Sequence, residues 1–339
     1  LIDETPHRRR PRYSGKYPRR FDQKYKELSR NPETLARVLA SGKTPAGSHV
    51  PIMVDEILEV LDPHPGEIAV DCTLGFGGHT RRLLERVAPG GHVLGLDADP
   101  LELPKTEAAL RAEGFGAEVF TARKSNFAGL PAALVASGFS AADVILADLG
   151  VSSMQLDNPA RGFTWKSAGP LDMRMNPSRG VSAAQWLSKT TPTALEEALI
   201  ENADEPDAAA LASALAGKNL ETTTDLANAI RSALQNRSDE LVEKAVRRVF
   251  QAVRIAVNEE FSALDALLRA LPSCLNPGGR VAILTFHSGE DRRVKKAFQS
   301  FFREGVFQDI SHDVIRASAQ ECHANPRATS AKLRWARRA

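Results

Sequence analysis

Asp71-Cys72-Thr73-Leu74-Gly75-Phe76-Gly77-Gly78-His79-Thr80 is rich in glycine and joins two segments of different periodicity. It follows the apolar run Ile68–Cys72 and leads into a helical pattern, Thr80–Val87. Glycines at a strand-to-helix turn let the backbone bend tightly and come close to a ligand. Asp97 closes the next apolar run, Val93–Asp97, 20 residues after Gly77. An acid at that spacing accepts hydrogen bonds from both hydroxyls of a ribose. Turn and acid together indicate a cofactor that carries a nucleoside. The dinucleotide fingerprint needs a third glycine where this chain has Thr80. S-adenosylmethionine needs no pyrophosphate cradle, because its tail is an amino acid. Asp71, at the end of the first strand, is placed to orient the ammonium of that tail, directly or through water. Asp71, Gly75, Gly77 and Asp97 are therefore candidate cofactor residues.

Outward from this turn, strands and helices alternate. Pro51–Leu61 reads as an amphipathic helix, Leu101–Glu113 as a helix, Glu118–Ala122 as a weaker strand and Val144–Asp148 as another strand. That alternation is the pattern of a parallel sheet wrapped by helices. After Gly150 it stops for about a hundred residues, which hold five helical patterns: Ser182–Leu187, Thr193–Asn202, Pro206–Ala216, Thr224–Leu234 and Glu240–Phe250. It then resumes with a helix over Glu259–Leu271, a Pro277-Gly278-Gly279 turn, a strand over Val281–Phe286 and a helix over Asp291–Phe301. The expected fold is α/β: a class I (Rossmann-like) methyltransferase parallel-sheet domain with an inserted all-helical domain. The expected divisions are an N-terminal arm over 1–47, a cofactor-binding domain over 48–156 and 251–339, and the insert over 157–250. No internal repeat is visible.

Ligands of open α/β sheets bind beyond the carboxyl ends of the strands. Asp148 lies at such an end, before Leu149-Gly150-Val151-Ser152-Ser153-Met154-Gln155. An exocyclic ring amine is a poor nucleophile, because its lone pair is delocalised. A carboxylate that accepts one of its N–H bonds favours rehybridisation and stabilises the positive charge that develops on nitrogen. Asp148 is the candidate for that task, although Asp also suits a turn or helix cap. Phe286-His287-Ser288-Gly289-Glu290-Asp291 forms a second polar cluster at a strand end, with His287 as a further catalytic candidate and Asp291 as an alternative helix start.

The net charge of +2 conceals an asymmetry. Ten Lys/Arg and four Asp/Glu fall in residues 1–30, six Lys/Arg and one acid in residues 316–339, and the body between is acidic. Basic ends on an acidic body fit a polyanionic partner, or two solvated tails. Tyr13, Tyr17, Phe21 and Tyr25 interleave with the arginines of the first end, an arrangement suited to single-stranded nucleic acid. Gly15 and Pro18 argue against a continuous helix there. Cys72, Cys274 and Cys322 form no CxxC pair, so neither a disulfide framework nor a zinc site is expected. No apolar run approaches the roughly 18 residues of a membrane span, and no secretory signal is seen.

With these segments in view, the chain resembles the small-subunit ribosomal RNA (cytosine-N4) methyltransferases of the MraW/RsmH type. The likeness runs through His49-Val-Pro-Ile-Met-Val-Asp-Glu56, Gly77-Gly78-His79-Thr80, Asp148-Leu-Gly-Val-Ser-Ser153, Arg161-Gly162-Phe163 and Gly169-Pro-Leu-Asp-Met-Arg-Met175. It continues through Phe250-Gln-Ala-Val-Arg-Ile255, Asn258, Phe286-His-Ser288 and Asn325-Pro-Arg-Ala-Thr-Ser-Ala-Lys-Leu-Arg334. The resemblance implies S-adenosylmethionine held by Gly77, Gly78, His79, Asp97, Phe127, Asp148 and Gln155. It implies N4-methylation of a cytidine in the decoding centre of small-subunit RNA, in a bacterial-type cytoplasm. Asp148 thus has two readings, cofactor binding and catalysis, which one residue can combine. The candidates for RNA contact are Arg254, Asn258, Arg292, Arg327, Lys332 and Arg334. Three departures stand out. Asn202-Ala-Asp204-Glu205-Pro-Asp207 replaces a Tyr-Gly-Glu-Glu-Arg-Phe-like string, Gly289 a usual Leu and Thr329 a usual Arg. Two other classes compete: a nucleotide-cofactor oxidoreductase, and an RNA-binding assembly protein with a vestigial pocket. The missing third glycine opposes the first, and the intact turn with Asp97 opposes the second.

Overall fold

The computed structural model describes residues 51–339 except Ser153, Met154 and Asp157. The arm expected over 1–47 lies outside the described residues. Helix α1 (Val54–Leu61) leads into the alternating part: β1 (Ile68–Asp71), α2 (Gly78–Val87), β2 (His92–Asp97), α3 (Leu103–Ala112), β3 (Phe120–Lys124), α4 (Leu130–Ala136) and β4 (Ala142–Asp148). Among the described residues, five helices follow with no strand among them: α5 (Ala183–Lys189), α6 (Pro192–Ala203), α7 (Ala208–Leu215), α8 (Thr223–Ala233) and α9 (Asp239–Asn258). The sheet resumes after α10 (Glu260–Cys274) with β5 (Leu275–Thr285), α11 (Ser288–Arg303), β6 (Phe307–Ile310), α12 (Ala319–Ala324) and β7 (Lys332–Arg338).

The seven strands lie in the order β3-β2-β1-β4-β5-β7-β6. Strands β1 to β5 are parallel, and β7 runs antiparallel to both of its neighbours. Chain order reverses between β1 and β4, where Ala69 stands between Val93 and Val144. Such a switch point opens a crevice at the carboxyl ends of the strands. Side chains of a strand alternate between faces. Val70 and Ile145 accordingly join one apolar cluster, with Leu134 and Leu267, while Ala69 and Val144 join another, with Ile57 and Leu83. Burial on both faces is why β1 and β4 read as unbroken apolar runs. The insert has its own core, around Leu187, Leu199, Leu211, Ile230 and Val246.

Local chemistry sets the ends of these elements. Ser182 and Thr222 form capping boxes with Gln185 and Asp225, so α5 and α8 start one residue after each cap. His287, not Asp291, caps α11, and the helix begins at Ser288. Helix α9 runs to Asn258, beyond the expected end at Phe250, and Ala252 and Val253 pack into the insert core. Arg280 on β5 ties down the entry to β1: it donates to the carbonyls of Leu61 and Asp62 and pairs with both oxygens of Glu67. A buried guanidinium is tolerated on such terms, with every nearby acceptor engaged.

Strand β7 corrects the reading of the C-terminal end as a basic tail. Lys332–Arg338 lies inside the sheet, between β5 and β6. Arg334 is 6% exposed and donates to Asp291 Oδ1 at 2.6 Å, and Lys332 Nζ lies 3.4 Å from Asp291 Oδ2. Among the described residues, no helix is long and apolar enough to cross a membrane.

Candidate active site

A cleft of about 1060 Å³ opens over the carboxyl ends of β1, β2, β4 and β5, between the sheet and the insert. Its floor is the glycine-rich turn. Gly75 takes φ +49° and donates its N–H to Asp97 Oδ2 at 2.8 Å. Gly77 takes φ +71° and caps α2, and a Cβ there would meet Leu110 and Thr106 at 3.2 Å. Gly78 lies so close to Pro51 that a Cβ would approach it to 3.0 Å. The first two positions require left-handed backbone, which only glycine adopts at little cost.

Asp71 does not line the cleft. It is 1% exposed; Oδ1 accepts from the Thr73 backbone and hydroxyl, and Oδ2 from Thr80 Oγ1 at 2.6 Å. Its carboxylate shapes the turn from beneath, and Thr73 Oγ1 in turn accepts the Asp148 N–H. Both oxygens of Asp71, expected to orient a cofactor ammonium directly or through water, are thus engaged within the fold, outside the cleft lining. Asp97 does face the cleft, held by the N–H groups of Gly75 and Asp99. Burial pushes its carboxyl up to about 6, against those two N–H donors, while the nearby acids Asp99 and Asp71 add to the rise. Phe127 opens a short 3₁₀ turn and supplies an apolar wall.

Asp148 ends β4 in the same cleft. Its side chain is 20% exposed, yet Oδ1 is shielded from solvent and has no hydrogen-bond partner. Oδ2 lies 3.6 Å from His79 Nδ1, and His79 Nε2 lies 3.0 Å from the Ile52 carbonyl. Burial lifts the Asp148 carboxyl to about 6; His79 opposes the rise, and Asp71 and Glu290 add to it. An unpaired buried carboxylate oxygen costs stability unless a ligand completes it. His287 lines the cleft one strand away. Its Nδ1 faces the Glu290 N–H at 3.4 Å. Its Nε2 lies 3.1 Å from Glu290 Oε1, at hydrogen-bond length but without hydrogen-bond geometry, so that nitrogen also lacks a partner. Glu290, absent from the candidate residues, is 3% exposed; burial raises its carboxyl, but His287, the Phe286 N–H and Arg254 outweigh burial and hold it below the ordinary value.

A second group that sequence reasoning missed joins the cofactor side to the insert. Asp99 is 1% exposed and its Oδ2 accepts from Gln155 Nε2 at 2.8 Å and from Arg161 Nη1 at 2.7 Å. Arg161 also donates to the carbonyls of Arg174 and Met175. Gln155 therefore lines the cleft as a strut, its Oε1 accepting from Ser152. Asp99 lies two residues beyond Asp97, and no local pattern marks it, because its partner Arg161 is 62 residues away.

Most of the residues named for RNA contact already have protein partners. Arg254 makes a bidentate pair with Glu260 at the cleft wall. The Asn258 amide is occupied by Met173, Met175 and Arg254 backbone groups, so it clasps the Gly169–Met175 loop to α9. Arg292 reaches across to Asp204, which also accepts from Ser288. Lys332 and Arg334 pair with Asp291, as above. Arg327 stands on the cleft rim. The insert instead brings forward Arg179 and Arg247, both exposed and without a partner among the described residues, in a cleft lining shared with the half-buried Trp186.

Residues 46–339 match the model of the MraW methylase family. The chain is 48% identical to ribosomal RNA small subunit methyltransferase H 2 of Alkaliphilus metalliredigens, over 98% of each chain. It is 47% identical to ribosomal RNA small subunit methyltransferase H 1 of Agathobacter rectalis, over the whole of both. A solved structure of a putative rRNA-methylase from Clostridium thermocellum aligns with a TM-score of 0.41 at 12% identity, covering 84% of this chain and 95% of that one. The strand order, the glycine turn with Asp97 and the Asp148 strand end are thus found in a chain that the family model spans from end to end of the described fold, and the chain belongs to the MraW methylase family.

Proposed function

We propose that the chain transfers the methyl group of S-adenosylmethionine to N4 of a cytidine in the decoding centre of small-subunit ribosomal RNA. The observation that carries this reading is the Asp148 carboxylate, with an unpartnered buried oxygen at the strand end beside the glycine turn. The cleft fits the cofactor. Asp97 has acceptor capacity left for ribose hydroxyls, Phe127 and Leu149 offer apolar surface, and Asp148 offers negative charge to a cationic group. When bound, S-adenosylmethionine supplies a methyl group on a positively charged sulfur. Asp148 accepts an N–H of the target amine, which localises the nitrogen lone pair and stabilises the positive charge that grows there. Phe286 and Leu149 keep water from the reacting amine, and a dry surround strengthens the pull of the carboxylate. The same carboxylate then takes the proton released from nitrogen; its raised affinity for protons, to about 6, suits that exchange.

RNA enters along the insert. Arg179 and Arg247 pair with phosphates, and Trp186 offers a stacking face. Arg327 lines the same cleft. The partner is the assembled or nearly assembled small subunit of a bacterial-type cytoplasm. Incubation with radiolabelled S-adenosylmethionine and small subunits tests the reading directly. Label should appear in a single cytidine as N4-methylcytidine, and Asp148→Asn should lower turnover by about 100-fold while subunit affinity stays within a few-fold of wild type. Label in protein, in another base, or in no RNA at all would overturn it.

A further inference from the structure

Two atoms in the cleft stand out because each is a buried polar atom without a partner: Asp148 Oδ1 and His287 Nε2. They belong to neighbouring strand ends, since Asp148 stands opposite Leu284 on β5 and His287 follows three residues later. Their hydrogen-bond characters differ. An ionised Asp148 can only accept. His287 Nδ1 faces the Glu290 N–H, so in the neutral ring Nδ1 carries the lone pair and Nε2 carries the hydrogen. The imidazole is wedged against Phe261, with ring centroids 5.7 Å apart, and Glu290 Oε1 lies 3.1 Å from Nε2 without hydrogen-bond geometry, which leaves the Nε2 hydrogen for a ligand. Gly289 leaves room for that wedge, because a Cβ there would sit 2.6 Å from Phe261 Cζ. The cleft thus presents one fixed acceptor and one fixed donor.

We propose that Asp148 and His287 together read the amino edge of the target base, Asp148 accepting from the exocyclic N–H and His287 Nε2 donating to the adjacent ring nitrogen. This rests on the function proposed above and adds a specificity residue to it. Cytosine offers a donor at N4 and an acceptor at N3. Uracil offers the reverse at both positions, a carbonyl against the carboxylate and an N–H against the imidazole N–H. The pair therefore rejects uracil twice over, which is the discrimination a site gains when its own buried polar groups would otherwise stay unpaired. It does not separate cytosine from adenine, whose amino edge has the same pattern.

The test is a cycle of protein and substrate changes. The methylated cytidine is first mapped with wild-type protein. Small subunits are then reconstituted from ligated RNA with 3-deazacytidine, which has C–H in place of N3, at that position. His287→Ala should lower kcat/KM on cytidine by about tenfold, the factor for one lost hydrogen bond, and should cause no further loss on 3-deazacytidine. His287→Gln, whose amide can also donate, should recover part of the loss on cytidine and none on 3-deazacytidine. Unchanged S-adenosylmethionine affinity in both variants excludes collapse of the site. Losses that multiply across the cycle would overturn the contact between His287 and N3 while leaving the function intact. A wild-type protein that methylates no cytidine would overturn the function and the base-reading pair together.

Discussion

Asp148 shows how one residue can be costly to the fold and necessary to the site. Its folded carboxyl titrates near 6, above the 3.8 of an ordinary aspartate, because burial disfavours the charge. A carboxyl raised in this way favours the fold at low pH, and the contribution is lost as pH rises from about 4 to about 6. At neutral pH the ionised, unpaired side chain is a net burden. Asp148→Asn keeps the shape and removes the charge, so it should stabilise the protein at pH 7.5 by about 1–3 kcal/mol, with the gain vanishing near pH 4. Urea unfolding at the two pH values measures this, and an equal effect at both would mean that charge is not the cause. Stability gained by removing a site residue is the usual sign of a group retained for chemistry.

At the scale of elements, the insert is joined to the cofactor domain through particular bonds. The buried Asp99–Arg161 pair links the segment after β2 to the loop after β4, and Arg161 holds the Arg174–Met175 backbone that Asn258 on α9 also grips. Breaking one side of a buried pair leaves an uncompensated charge. Arg161→Ala should therefore cost about 3–5 kcal/mol, and adding Asp99→Asn should recover a large part of that cost. A double-mutant cycle by urea unfolding checks the coupling; simple additivity would show that the pair does not act as a unit. The exposed pairs of Arg292 with Asp204 and Arg293 with Glu201 also cross between the two parts, but each is worth at most about 1 kcal/mol.

Across the whole molecule, charge is distributed differently from what its position along the chain implied. Two C-terminal cations, Lys332 and Arg334 on β7, share the Asp291 carboxylate, so that end presents less free positive charge than its composition indicates. On the function proposed above, the salt-dependent part of RNA affinity is expected to rest on the N-terminal arm and on Arg179 and Arg247. Deleting residues 1–30 should make the slope of log affinity against log salt shallower, by about 0.7 for each phosphate that the arm neutralises. Filter binding of small-subunit RNA across a salt series measures it. An unchanged slope and affinity would assign the whole electrostatic contribution to the insert and the cleft rim.

The alternating sheet, the helical insert, the glycine turn with Asp97, and Asp148 at a strand end are all legible in the order of residues along the chain. These signals are local: apolar runs mark buried strands, and glycine marks backbone that other residues avoid. The chain also carries the family strings whose membership the family model bears out. Strand β7 was illegible because Lys332 and Arg334 look like surface residues until Asp291, 41 and 43 positions away, is seen beside them. The Asp99–Arg161 strut was hidden for the same reason, whereas Asp71 turns inward to Thr73 and Thr80, its near neighbours in the chain. Tertiary structure alone decided which charges are paired and which polar atoms are left over. A buried charge is admitted only with its partner, and partners far apart in the chain meet through the packing of the elements that carry them.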